Sequence, residues 1–227
     1  AERGWQLALI GLVVLVVLPG VQLIDGLVKF QAIFGNFPMR FRYTMHRWLL
    51  GHSLGALIAA AFVAGRADRV THLTLAAPAI GHGVAPGEVL SAPAQARIDD
   101  LERLGADAFA AARAPRLVHR PEDNPAALKL VQAAMRQVTL PGYGQAARML
   151  ASGRLLDDAE RLWVPTDVIV GAADRVTPPE GARRVHDRLP AKARGTYTEL
   201  PGLGHALYQQ DPARFAAALR QGAAAVV

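Results

Sequence analysis

A serine with glycine two residues away on both sides occurs once in the chain, as Gly51-His52-Ser53-Leu54-Gly55. Before it lies a short apolar run at 46–50, and after it an alanine-rich stretch of helical spacing at 54–65. A turn between strand and helix lifts a serine hydroxyl clear of the sheet, and small residues on either side let the neighbouring backbone pass. The helix N-terminus behind Ser53 favours negative charge, and the Leu54 amide is a donor for an oxyanion. A serine so placed needs a base and an orienting acid, which follow it in the order acid, then histidine. Asp174 stands just after an apolar run at 164–170, and His205 just after another strand-like run at 195–200. Both fall at the carboxyl ends of strands, where ligands bind in open α/β sheets. In that arrangement His205 takes the serine proton and Asp174 holds the imidazole in its working tautomer.

The other histidines fit less well. His46 and His72 fall before or within strands, and His82 and His119 lie in or beside a helical stretch. His186 reads as a surface residue of a helix, and His52 as a packing residue beside the nucleophile. No His, Asp or Glu group has metal-ligand spacing, and neither a metal nor a cofactor is expected.

These residues need a sheet to hold them. Residues 70–77 (VTHLTLAA) alternate and are β-branched, which predicts a strand that Pro78 and the following glycines end. From 91 to 162 the spacing predicts about four short helices, at 95–104, 107–114, 125–138 and 144–150, and no strand. Asn124-Pro125 reads as an N-cap with proline at the first helical position. Strand and helix then alternate: 164–170, 179–189, 195–200 and 212–219. The pattern is that of an α/β fold with a mostly parallel sheet and a helical insert. The core comprises 47–90 and 163–227, and the insert 91–162.

The chain has 227 residues, enough for one large domain or a domain with an insert. With no cysteine it has no disulfide, thiolate metal site or cysteine nucleophile. The net charge of +6 comes mainly from scattered arginines, with only Lys29, Lys129 and Lys192 as lysines. Aromatics are 6% of the chain, so the clustered charge and stacking rings of a nucleic-acid surface are missing. The partner expected is a small-molecule ester or lactone, and the sequence leaves the oligomeric state open.

Residues 47–227 resemble the α/β-hydrolase superfamily. The resemblance is carried by Gly51–Gly55, by the run VPTDVIVGAADRVTPP at 164–179 and by Gly-Leu-Gly-His at 202–205. It implies an α/β-hydrolase fold whose helical insert is a cap domain, and a Ser53–Asp174–His205 hydrolase working through an acyl-enzyme. Within the superfamily, Pro141-Gly142-Tyr143, Ala147–Leu150 and Val176–Pro179 are similar to the 3-oxoadipate enol-lactonase group, with the hydrolases of ring-cleavage products close by.

The first 46 residues read differently. The chain begins at Ala1, as a fragment or processed product would, and residues 7–18 are twelve apolar residues in succession. Residues 5–50 weakly resemble a membrane-domain segment of an ABC exporter, through the apolar run, 35–40, Arg42 and His46-Arg47. No His-Gly pair follows a strand, so the loop that gives the superfamily its second oxyanion donor is not recognisable, and its N-terminal strands read as missing or replaced. The expectation is a chimera joined near 51–53, with a helix over about 7–30. Cytoplasmic location is expected, with membrane association through residues 7–24 as the alternative. A catalytically incompetent hydrolase remains the alternative function.

Overall fold

In a computed structural model, residues 13–16, 48–65, 70–85 and 87–224 are described. Among the described residues, five strands form one sheet in the order β1–β2–β3–β4–β5, and every neighbouring pair is parallel. They are β1 (Val13–Val16), β2 (Trp48–His52), β3 (His72–Ala76), β4 (Thr166–Gly171) and β5 (Arg194–Leu200). Helix α1 (Leu54–Gly65) follows β2 directly, and α6 (Pro179–Arg188) follows β4. After β5 come α7 (Leu207–Gln210) and α8 (Pro212–Ala224).

Strands β3 and β4 are buried along their whole length because parallel strands with helices on both faces meet no water. Side chains alternate across them. Leu73, Leu75, Val168 and Val170 enter one core layer with Ala56, Leu57 and Ala60 of α1 and Val185 of α6. Leu50, Ala76 and Ile169 point the other way and pack with Leu203, Leu207 and Phe215.

Between β3 and β4 the chain is helical: α2 (Ala92–Arg113), a 3-10 turn (Ala114–Leu117), α3 (Pro125–Met135), α4 (Leu140–Ser152) and α5 (Leu155–Ala159). The helices expected at 95–104 and 107–114 are the two arms of α2, separated at Gly105, whose φ of 71° breaks the helical backbone. These helices close a core of their own around Phe109, Val131 and Met135. That core includes Ala206, from the loop after β5, so it sits against the carboxyl end of the sheet.

The expected helix over 7–30 is corrected at Val13–Val16. These residues form a strand in register with β2, from Val13 opposite Leu49 to Val16 opposite His52. Three of the four are valines, whose branched side chains lose freedom in a helix and suit a pleated sheet. Pairing with β2 makes this stretch part of the same sheet as the elbow strand. The rest of 7–30, the basic stretch at 40–47 and the oxyanion loop lie outside the described residues. Among the described residues, no helix is long and apolar enough to cross a membrane.

Candidate active site

Strand β2 ends at His52 and α1 begins at Leu54, so Ser53 alone makes the turn. Its φ is 55°, a left-handed value that a non-glycine residue adopts at a cost. Three backbone bonds hold it there. The Ser53 amide donates to the Ala76 carbonyl at 2.9 Å, and the Ser53 carbonyl accepts from Ala56 at 3.0 Å and Ala79 at 3.2 Å. Gly51 is required by the tightness of the turn, since a Cβ there would lie 2.4 Å from the Gly55 carbonyl oxygen. The amide of Leu54, first in α1, lies among the helix N–H groups that have no carbonyl one turn back.

Asp174 follows β4 and His205 follows β5, and the structure brings them together. The Nδ1 of His205 donates to Oδ2 of Asp174 at 2.8 Å, with both side chains almost wholly buried. The loops can lie this close because Gly171 has no side chain, as a Cβ there would fall 2.4 Å from the carbonyl oxygens of Leu203 and Gly204. The other Asp174 oxygen accepts from the amides of Val176 (2.7 Å) and Thr177 (2.9 Å). Burial pushes the Asp174 carboxyl up. The bond and charge of His205 and the two amides outweigh it and hold the group below its ordinary range.

Ser53 and His205 line one cavity of about 300 Å³. Among the described residues, no hydrogen bond joins the Ser53 hydroxyl to His205, so the expected serine–histidine contact is not closed here. Such bonds tighten when a reacting group occupies the site. Its other ring nitrogen committed to Asp174, His205 keeps Nε2 for this cavity.

Sequence reasoning missed the roles of three further groups. The Thr177 hydroxyl lies 2.8 Å from Asp174 Oδ2, 2.9 Å from the Ala77 carbonyl and 3.1 Å from His205 Nδ1. It ties the end of β3 to the acid and the base, and its only signal in sequence is the three-residue spacing from Asp174. His52 does more than pack, since its Nε2–H donates to the His205 carbonyl at 2.9 Å. Its ring meets those of His205 at 4.8 Å and Tyr208 at 5.0 Å. Burial first, then the neighbouring His205, lower the His52 pKa from 6.5 to about 3, so it is a neutral donor. Gln210 supports the same loop: its Oε1 accepts from Gly204 (2.8 Å) and His119 (2.9 Å), binding the loop to the helical insert.

His186 and His72 stand apart from this cluster. His186 is half-buried rather than fully on the surface, with Nε2 3.0 Å from the Gly195 carbonyl. His72 pairs with Asp167 at 2.6 Å near the amino ends of β3 and β4, opposite the elbow.

Comparison with known proteins agrees with this architecture. An esterase from Thermogutta terrifontis with malate bound is 23% identical, with a TM-score of 0.67 over 92% of this chain and 75% of its own. An enol-lactonase from Burkholderia xenovorans is 23% identical, with a TM-score of 0.64 over 89% and 69%. A bromoperoxidase from Bacillus anthracis is 15% identical, with a TM-score of 0.66 over 88% and 72%. Among curated proteins, none matches the chain. The likeness of residues 5–50 to an exporter is not supported, because a hydrolase family profile runs from residue 28 to residue 212. That profile is described as serine aminopeptidase, S33, and with most of its length matched the chain belongs to this family of α/β-hydrolases.

Proposed function

We propose that the chain hydrolyses small carboxylic esters or lactones with Ser53 as nucleophile, His205 as general base and acid, and Asp174 as the group that orients and stabilises the imidazole. The observation that carries this reading is the 2.8 Å His205–Asp174 bond, with its ring opening onto the cavity that Ser53 enters from a turn at φ 55°. Ser53 Oγ attacks the carbonyl carbon as its proton passes to His205 Nε2. The carbonyl oxygen takes the electron pair and is held by the Leu54 amide at the head of α1. Collapse expels the alkoxide, which takes the proton from His205 and leaves an acyl-Ser53. Water, deprotonated by His205, then releases the acid and restores the serine.

Val16, the last residue of β1, lies opposite His52 at the elbow. Helices α2–α5 act as the cap that covers the cavity. The family description names an aminopeptidase, but the cavity offers no carboxylate among its described lining residues to hold a peptide's terminal ammonium. That favours an ester or lactone substrate. The test is hydrolysis of p-nitrophenyl acetate by the parent and by Ser53→Ala. The parent should release an initial burst of p-nitrophenol equal to the protein present, and the variant none. Equal rates for the two proteins would end the serine reading.

A further inference from the structure

The backbone on either side of His205 is fastened to the helical insert. One residue later, the Ala206 amide donates to the carbonyl of Leu117, the last residue of the 3-10 turn, at 2.8 Å. One residue earlier, the Gly204 amide donates to Gln210 Oε1 at 2.8 Å, and the same oxygen accepts the His119 amide at 2.9 Å. The other end of that carboxamide, Nε2, donates to the His119 carbonyl at 3.2 Å. Gln210 ends α7, the four-residue helix that follows His205 and Ala206, so its side chain closes a short loop back onto Gly204. It answers two donors and one acceptor, a set that suits a carboxamide: a carboxylate cannot donate and an ammonium cannot accept.

The approach is close because residue 204 is glycine. A Cβ there would lie 2.7 Å from the His119 nitrogen and 3.0 Å from the Leu117 carbonyl oxygen. The insert's side of the contact is itself braced. Asn124 Nδ2 donates to the carbonyls of His119 at 2.9 Å and Arg120 at 3.1 Å. Arg120 has a φ of 45°, a left-handed value that costs a non-glycine residue and persists where the surroundings over-determine it. Leu117 of this same turn also lines the cavity that Ser53 and His205 share. One turn thus touches both the substrate's space and the backbone of the base. The serine–histidine contact is open, so the base has a last adjustment to make when a reacting group enters.

We infer that Gln210 is a positioning residue through which the helical insert aims His205: the seating of 117–119 against the loop after β5 sets where the imidazole meets Ser53. The consequence for turnover rests on the serine-hydrolase reading. The hold on the loop does not, and the test reads the two separately. Gln210→Met keeps the length of the side chain and removes its strong hydrogen bonds. Amide hydrogen exchange is compared between this variant and the parent. Gly204 and His119 lose a partner directly, so faster exchange there is expected of any role. The diagnostic amide is Ala206, whose own partner, Leu117, is untouched. It should exchange at least about tenfold faster, while 166–171 of β4 keep the parent's rates and so report an intact sheet.

On p-nitrophenyl acetate, kcat per site titrated by the burst should fall roughly 10- to 100-fold, as small misplacements of a catalytic group do. KM should stay within about twofold, because the cavity wall is unchanged. Gln210→Glu, whose carboxylate can still accept both amides, should recover most of the kcat and the slow exchange of Ala206. Unchanged Ala206 exchange in Gln210→Met overturns the inference. So does a parent-like kcat in that variant, or a glutamate variant no better than the methionine one. Faster Ala206 exchange in Gln210→Met, reversed in Gln210→Glu, with no Ser53-dependent turnover by the parent, would uphold the hold on the base and sink the serine reading.

Discussion

The His52 ring is neutral, buried and bonded to the His205 carbonyl, and these facts together predict an acid sensitivity located at one residue. Its pKa is about 3 in the folded protein and 6.5 in an exposed chain, lowered by burial and by His205. A base with a depressed folded value binds its proton more readily when unfolded. The unfolded chain therefore gains the proton first as pH falls from 6.5 towards 3, and stability is lost across that window. Above pH 6.5 both states are neutral and the residue has no pH effect. At pH 4.5 the unfolded ring is two units below its own value while the folded ring remains neutral. At about 1.4 kcal/mol per unit, the loss relative to pH 7 is about 3 kcal/mol. The perturbation is His52→Gln, which keeps an N–H donor for the His205 carbonyl and does not titrate. Urea unfolding at pH 7.0 and pH 4.5 gives the difference for each protein. The parent should lose about 3 kcal/mol more than the variant between the two conditions, whatever the other carboxylates and histidines contribute to both. Equal losses would refute the buried, neutral state assigned to His52. A companion change, His52→Phe, strips the donor and leaves the His205 carbonyl unpaired. It should lower kcat more than it alters KM, because the loop that aims His205 is freed while a ring still fills the His52 position in the cavity wall.

Two further substitutions probe the elbow and its supports. Thr177→Val removes the hydroxyl shared by Asp174, Ala77 and His205 but keeps the backbone amide on Asp174, so kcat should fall about tenfold with KM little changed. Steady-state kinetics with p-nitrophenyl acetate would read the split, and a change confined to KM would contradict the positioning role. Gly51→Ala places a methyl 2.4 Å from the Gly55 carbonyl oxygen, in rigid backbone, and should cost at least about 2 kcal/mol in chemical denaturation. Unchanged stability would show that the turn relaxes more easily than its geometry indicates.

The site was legible in the sequence to the extent that its chemistry is local. Gly51 and Ser53 carry their own backbone signature, and strand-end positions single out Asp174 and His205, because each of these residues is fixed by the element immediately before it. Thr177, His52 and Gln210 were not legible for the opposite reason. Their partners come from other elements: Ala77 at the end of β3, the carbonyl after β5, His119 in the helical insert. Helix α1 was read with its exact limits because strand and turn bracket it. Helices α5 and α7 were missed because five and four residues are too few to show a period. At the N-terminus, an unbroken apolar run has no periodicity to separate a buried strand from a helix. Only the partner strand settles it.

That strand carries the last prediction. Among the described residues β1 borders the sheet, paired on one side with β2. Its four residues bring the chain to the edge of the elbow, with Val16 opposite His52. If the pairing holds in solution, amides of 13–16 should exchange slowly with solvent, alongside those of 48–52, in a monodisperse monomer without detergent. Replacing Val14 and Leu15 by proline would remove two donors and fix two φ angles, so a parallel strand could not persist there. Asp174 and His205 follow β4 and β5, neither of which pairs with β1. The two-proline variant should therefore retain the slow exchange of 72–76 and 166–171. It should nonetheless lose kcat on p-nitrophenyl acetate, because β1 flanks the strand that ends at the elbow. Slow exchange of 13–16 that survives the prolines would mean the protection has another source. An unprotected 13–16 in an active parent would mean that the elbow works without its neighbour, and that Leu54 and the head of α1 hold the oxyanion alone.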